Sequence, residues 1–450
     1  MKKITTCILF VFIAISSYSQ YIEGRIFDAA TNKPIEGVNV SVVNLEDGTF
    51  SNPKGVYYLK IATNKKGLGN IQFSHIGYQT VEMALNKGQK IYNVYLVKNV
   101  NFLDEVALVN QRNLKQTISY KKLKSMKYGI FSFGGVLNND KIFVVGGDAS
   151  YNFDAVEKTL EKYEHSDLTL IEKLLKAGVS YNYDMYRGDF LTYDIPTNTW
   201  EKNILKFDKR SAHNVNIINQ YVYILGGKIL SSGGRKDYLN ATIELLDVQN
   251  NTRIVDETNP HQAVNFASFN YQGNLIVLGG SVKMKKSGAK EYNNKVHLYN
   301  LKEGFWYQLD TMSVAKETQG VLIKDKIYLI GGFNKKPLSQ IESYNLKTNT
   351  WQKEGNLFFG MESPAIANNN EIIYLFDKDK IYTYNTLTKE LNEFYIKLNI
   401  TYSKMYFSNN KLYILGGLRF GDFETTPSSA LYSIDISEFN KTKIIRTKTL

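Results

Sequence analysis

The side chains that could do chemistry are few and widely spaced. Five histidines occur, His75, His165, His213, His261 and His297, and no two have the spacing of a metal-ligand pair. Neither a His-Glu-x-x-His motif nor a Gly-x-Ser-x-Gly turn is present, so nothing indicates zinc hydrolysis or a serine nucleophile. The single cysteine, Cys7, sits in an apolar N-terminal run, and no thiol follows it, which removes disulfides, cysteine nucleophiles and thiolate metal sites together. What remains is acid–base chemistry, for which Glu317, Glu362, Arg210 and His213 would have to lie within hydrogen-bond reach of one another. Asn265, Lys316, Tyr402 and Lys404 add polar groups suited to binding, and Lys283, Lys285 and Lys286 form a basic cluster. The spacing of these residues assigns no catalytic role, no metal and no cofactor, and the expectation leans away from an enzyme.

A repeat places them. The phrase KIFVVGG ending at Gly147 returns as YVYILGG at Gly227, NLIVLGG at Gly280, KIYLIGG at Gly332 and KLYILGG at Gly417. A sixth copy, IIYLFDK ending at Lys378, has lost both glycines. A second phrase follows, with Tyr193-Asp194 before Trp200, Tyr299-Asn300 before Trp306 and Tyr344-Asn345 before Trp351. Leu246-Asp247, Tyr384-Asn385 and Ile434-Asp435 are weaker copies. Each unit reads as four strands, the second ending in the glycines and the third carrying Tyr-Asp/Asn. Paired glycines allow positive φ and let a neighbouring aromatic pack on bare backbone.

Units of about 50 residues with these phrases resemble the Kelch repeat, whose units are four-stranded propeller blades. The resemblance covers residues 128–450 and implies a six-bladed β-propeller, its fifth blade (about 353–396) departing from the pattern at Asp377-Lys378. The first two double glycines are 80 residues apart, and the excess, about 150–188, has helical spacing at Val156, Leu160 and Tyr163 and again at Leu168, Ile171, Leu174 and Leu175. A helical hairpin is expected there, with Ser166 or Asp167 capping its second helix and Gly178 ending it. Ring closure is open between a C-terminal strand near residues 442–447 and the basic linker at 110–127.

In such a propeller the loops after each second strand share one mouth with the starts of the first strands. Counting back fourteen residues from the second glycine gives Phe133, His213, Phe266, Thr318 and Ser403, and fifteen gives Ser132, Ala212, Asn265, Glu317 and Tyr402. With Arg210, Lys316, Glu362 and Lys404 nearby, these are the expected pocket residues, against the plainer alternative that they only cap a channel. Some Kelch proteins are copper oxidases built on a cysteine–tyrosine cross-link, which this chain cannot form beyond Cys7. Others are sugar mutarotases or epimerases, and a carbohydrate-modifying enzyme using Glu317, Glu362, Arg210 and His213 in the central pocket is the alternative function.

Residues 22–98 show short alternating strands at 22–27, 38–43, 56–61, 71–73, 80–84 and 92–96, separated by turn residues, as in a small β-sandwich. Gly24, Pro34, Gly37, Gly55, Ile76-Gly77-Tyr78 and Asp104-Glu105-Val106 resemble the carboxypeptidase-regulatory-like domain over residues 21–109. That family is a transthyretin-like sandwich, and the resemblance implies a spacer without catalysis. The expected fold is therefore all-β, a small sandwich followed by the propeller.

Lys2 and Lys3 precede an apolar stretch from Cys7 to Ile15, then Ser16, Ser17, Ser19 and Gln20, the layout of a secretory signal cleaved after Gln20. The protein is expected to be exported to the periplasm, cell surface or medium, without a transmembrane segment and at most peripheral to the cell envelope. The net charge is +12, and losing Lys2 and Lys3 brings it to +10. Lys228, Arg235, Lys236, Lys283, Lys285, Lys286, Lys290, Lys335, Lys336 and Arg419 face only Asp237, Glu291, Asp422 and Glu424 in the compact mouth loops. The expected partner is a protein or an anionic glycan at that mouth, and not nucleic acid, with the sandwich as spacer.

Overall fold

A computed structural model describes residues 19–43, 48–62, 69–75, 77–86, 88–98, 114–183, 185–232, 236–284 and 290–450. The chain divides into two compact units, residues 1–108 and 109–450.

The first unit is a sandwich. One sheet pairs Ser19–Asp28 with Val56–Ala62 and Val94–Leu96, and the other runs Gly48–Phe50, Asn39–Val42, Asn70–Ser74, Val81–Ala84. Inward residues of both sheets, among them Ile22, Val40, Leu59 and Phe73, make one core. Ser19 and Gln20 extend the first strand past the expected cleavage point by pairing with Ala62 and Ile61. Gly24 is required by proximity, since a Cβ there would lie 1.9 Å from the carbonyl oxygen of Tyr92. Tyr78 donates its hydroxyl to Asp28 Oδ2 at 2.8 Å, and that bond leads the causes that hold this carboxylate low. Ile76 and the Asp104-Glu105-Val106 motif lie outside the described residues.

In the second unit six sheets repeat one plan. The first holds Gly134–Asn138, Lys141–Asp148, Tyr186–Asp194 and Thr199–Lys206, in antiparallel order outward from the centre. The second to fourth follow from Asn214–Ile218, Ala267–Tyr271 and Gly320–Ile323. The innermost strands adjoin in sequence order, and that of the sixth sheet, Lys404–Ser408, returns beside that of the first. Six apolar clusters lie between successive sheets, each drawing residues from two, as Ile276 and Leu278 meet Ile327 and Tyr344. This is a propeller ring.

The Tyr-Asp/Asn phrase acts in two ways. Tyrosine and tryptophan are direct cross-strand partners with centroids 5.0, 4.6 and 4.6 Å apart in the first, third and fourth blades. The Asp or Asn accepts from the backbone of the turn that follows, as Asn345 Oδ1 does from Lys347 N at 2.9 Å and Asp435 Oδ1 from Ser437 N at 2.9 Å.

The fifth blade differs where its glycines are missing. The run Ile372–Asn385 pairs with Ala365–Asn369 through residues 372–376 and with Glu390–Ile400 through residues 378–384. Ile373 and Leu375 share a cluster with Tyr382 and Tyr384, whereas Tyr374 and Phe376 share another with Ile381. In a straight strand the odd and even residues would face apart, so the chain reverses within this run, at Lys378 (φ 58°). Second and third strands are here one tight hairpin with no room for a mouth loop.

Both candidate closing segments are used, in different blades. Lys121–Lys122 pairs with Ser433 and Tyr432 as the outer strand of the sixth blade, and Ile118 is buried between the fifth and sixth. Arg446–Thr449 adds an outermost strand to the fifth blade, with Arg446 bonding Glu393 at 2.6 Å. The helical hairpin is present as α1 (Ala155–Lys162) and α2 (Leu170–Lys176). The cap of α2 is Thr169, in a capping box with Glu172, and Ala177 ends the helix instead of Gly178. Thr169 wins because Glu172 stands three residues on to return the bond, a partner Ser166 and Asp167 lack.

A Gly226→Ala variant tests the close approach behind the repeat. Its Cβ would lie 2.8 Å from Ala263 O and 2.9 Å from Phe266 Cε1, at φ 58°. Overpacking plus the left-handed backbone should cost about 2–4 kcal/mol in denaturant melts. Gly273→Ala, at φ 78° with open space around it, should cost about 1–2 kcal/mol.

Candidate functional site

The starts of the first strands build the channel mouth. Ser132, Ala212, Asn265 and Tyr402, fifteen residues before their second glycines, have φ of 46°, 56°, 51° and 52°. This left-handed step lets the backbone join blade to blade: Ala212 N donates to Ser132 O (2.8 Å), Asn265 N to Ala212 O (3.1 Å) and Thr318 N to Asn265 O (3.0 Å). The next residue is turned into the ring wall. Phe133, His213, Phe266 and Thr318 each pack on the first glycine of the preceding blade, Gly416, Gly146, Gly226 and Gly279. They are wedges between blades, and His213 is one of them.

Two of the expected pocket residues stand apart from the channel. Arg210 is fully buried, ion-paired with buried Glu244, and donates to Gly226 O at 3.2 Å. Burial lowers its pKa to about 10, so it stays charged. Lys316, also fully buried, pairs with Glu342 at 2.8 Å. Each cation ties the connector before its first strand to the third strand of the same blade. In the third blade His261 and His297 meet there instead, Nδ1 to Nδ1 at 2.9 Å. The sequence reading missed these partners, although Glu244, His297 and Glu342 sit in one register, each three residues before the second glycine across the pair. An Ile-Glu pair, Ile243-Glu244 and Ile341-Glu342, at the same place in two third strands was the available signal.

Asn265, Glu317, Glu362 and Tyr402 do meet at the mouth, around a small cavity with Ser132 and Ser363. Glu317 is saturated there. Lys290 Nζ lies 2.8 Å from its Oε1, Ser281 donates to the same oxygen, and Asn265 Nδ2 donates to Oε2 at 3.2 Å. Glu362 bonds the Tyr402 hydroxyl, whose pKa is pushed up by burial and then by the charge of Glu362. Beside them a cavity of about 210 Å³ is lined by Glu362, Thr401, Tyr402, Phe420, Asp377 and Lys378. Burial first, and then Glu362, raises Asp377 to about 6. His213 is held neutral: desolvation drives its pKa well down, and Nε2 faces the Val145 carbonyl at 3.0 Å. The grouping of Glu317, Glu362, Arg210 and His213 as acid and base is therefore not assembled. Arg210 serves Glu244, Glu317 serves Lys290, and His213 serves the blade interface.

The rim is less cationic than its sequence. Lys228 pairs with Asp237 at 2.9 Å, and Lys290 is taken by Glu317. Lys236, Lys335 and Lys336 are exposed. The side chain of Lys283, and Lys285, Lys286 and Arg235 entirely, lie outside the described residues. Mouth loops are themselves ordered into strands. Tyr151–Phe153 of the first blade pairs with Glu424–Pro427 of the sixth, so the helical hairpin stands on two blades at once. Among the described residues no helix is long and apolar enough to cross a membrane.

Comparison with known proteins agrees with this architecture. Residues 22–108 match the CarboxypepD_reg-like domain, and residues 164–376 match the KLHDC2/KLHL20/DRC7 Kelch-repeats domain. The chain thus carries a carboxypeptidase-regulatory-like domain followed by Kelch repeats. Similar curated proteins include Kelch-like protein 38 of Mus musculus, 25% identical over 259 residues, 55% of this chain and 42% of that protein. Alpha-scruin of Limulus polyphemus is 21% identical over 189 residues, 40% of this chain and 20% of that protein. The chain spans about two fifths or less of the length of these relatives. Among solved structures, that of YjhT superposes with a TM-score of 0.50 at 13% identity, over 68% of this chain and 95% of the other, which shows the fold alone.

The raised Asp377 gives a pH test. A carboxyl at about 6 when folded and 3.8 when unfolded contributes stability that is present below about 3.8 and lost as pH rises through 6. Asp377→Asn should therefore stabilise the protein at pH 7, by up to about 3 kcal/mol, and the gain should vanish near pH 4. Equal stability of variant and wild type at pH 7 would show the carboxyl to be unperturbed.

Proposed function

We propose that this chain is an exported binding protein whose propeller docks a protein partner at the loop-rich mouth, with the N-terminal sandwich as a spacer. One observation carries the reading: α2 has no buried residue, and Leu170, Ile171, Leu174, Leu175 and Val179 are exposed together on the insertion at that mouth. Leu175 is 81% exposed and Ile171 70%. Apolar side chains gathered on one short element mark a protein contact, since a glycan offers them little to bury against. Exposed Lys236, Lys335 and Lys336 on the same mouth complement a partner with acidic side chains around an apolar anchor. The Kelch relatives support a binding role. Export rests on the charged, apolar and small-residue layout of residues 2–20.

The test uses the full chain as bait on envelope and secreted proteins, with each retained protein identified and then titrated in purified form. Ile171→Ser with Leu175→Ser should weaken that affinity by about tenfold or more, while melting shifts little because both residues are exposed. Unchanged affinity, or selective retention of an anionic glycan in place of any protein, would contradict the proposal.

A further inference from the structure

A cavity of about 700 Å³ opens between the first and second blades. Its wall takes Arg187 and Asp189 from the third strand of the first blade, Lys202 and Lys206 from the fourth, and Lys209 from the connector into the second. Lys127, on the segment that leads into the ring, and residues 230–232 of the second blade complete it. Five cations and one carboxylate therefore line a single space.

That carboxylate is already used. Asp189 Oδ1 pairs with Lys202 Nζ at 2.6 Å, and Oδ2 accepts from the Tyr128 hydroxyl at 2.7 Å. Asp208, between Lys206 and Lys209 in the chain, is bound to Arg253 at 3.0 Å. Among the described residues no carboxylate lies within ion-pair distance of Lys127, Arg187, Lys206 or Lys209. Like charges gathered on one wall repel one another until an anion joins them. Arg187 is also held in place. Its guanidinium lies 3.8 Å from the centroid of the Tyr128 ring, and the bond to Asp189 fixes that ring in turn. A stacked guanidinium is preorganised for paired bonds to an oxyanion.

Charge density and volume select the anion. Separate carboxylates crowded into one cavity would repel each other, whereas a phosphomonoester concentrates about two charges on three acceptor oxygens. The space falls within the range of about 300–1,000 Å³ that takes a small organic ligand, far more than a phosphate group fills. Ser231 and Ser232 add hydroxyls to the wall, suited to a sugar.

We propose that this cavity binds a phosphorylated sugar, with its phosphoryl group on Arg187, Lys206 and Lys209 and its body against Ser231 and Ser232. The site uses none of the apolar side chains of α2 and does not depend on the docking function.

Calorimetry on the full chain with glucose 6-phosphate, glucose and inorganic phosphate tests it. Glucose 6-phosphate should bind, and glucose at least about tenfold more weakly, the weight of one charge-assisted hydrogen bond. Inorganic phosphate, which lacks the sugar, should also bind more weakly. Lys206→Ser with Lys209→Ser should weaken glucose 6-phosphate binding by about tenfold or more, with little change in melting temperature because both side chains are exposed. Lys335→Ser with Lys336→Ser, in the fourth blade's mouth loop, should leave it unchanged. No binding of glucose 6-phosphate to the wild type, glucose or inorganic phosphate binding as tightly, or an affinity that Lys206→Ser with Lys209→Ser leaves intact would each overturn the proposal. Equal losses in the two double variants would overturn it as well, by showing general attraction to a basic surface. The three-ligand comparison needs only the wild type and decides even where a variant does not fold.

Discussion

One contact recurs at four of the six blade junctions and sets their geometry: a side chain at the start of a first strand seated on the bare backbone of the preceding blade's first glycine. Phe266 on Gly226 shows it most plainly, with ring carbons where any Cβ would have to go. Burying such an aromatic is worth about 1.5–3 kcal/mol, and the close approach brings the two strands near enough for the backbone belt from Ser132 to Thr318 to form. Both glycines of each pair have positive φ, which fits the chain to leave the second strand at the mouth. Channel width, blade spacing and loop placement all follow from this seat. Where the glycines are replaced by Asp377-Lys378, the next wedge position holds Ser403 and the mouth loop collapses to a hairpin.

The same constraint divides the polar residues by task. Arg210–Glu244, Lys316–Glu342 and His261–His297 lie behind the wedge and hold each connector to its own blade. Removing one partner of such a pair strands the other in the interior, which is why these charges serve the scaffold. Lys404 lines the channel itself, and among the described residues no ion pair holds it. Outside, the ordered loops and the helical hairpin present an apolar surface that the ring does not need for its own stability.

Much of the fold was legible because its determinants are local and repeated. Five double glycines in register, the Tyr-Asp/Asn-to-Trp spacing and the helical period of the insertion each report a backbone requirement, and the structure meets each one. Register does not report direction. Counting fourteen and fifteen residues back located the mouth positions, but the alternation of the backbone turns Asn265, Glu317 and Tyr402 to the channel while Phe133, His213 and Phe266 turn to the neighbouring blade. Arg210 and Lys316 read as pocket residues from sequence because their partners lie 34 and 26 positions away, beyond any local pattern. The closing strand at Lys121–Lys122 has only two residues, too short to carry a period.

Each wedge couples the blade it belongs to with the one before it. Hydrogen exchange measured by mass spectrometry on Phe266→Ala against the wild type tests this directly, in a substitution that should cost about 3–5 kcal/mol. Amides of Tyr221–Leu225 in the second blade and of Asn274–Leu278 in the third should lose protection together. Loss confined to the third blade, with the second as protected as before, would contradict it.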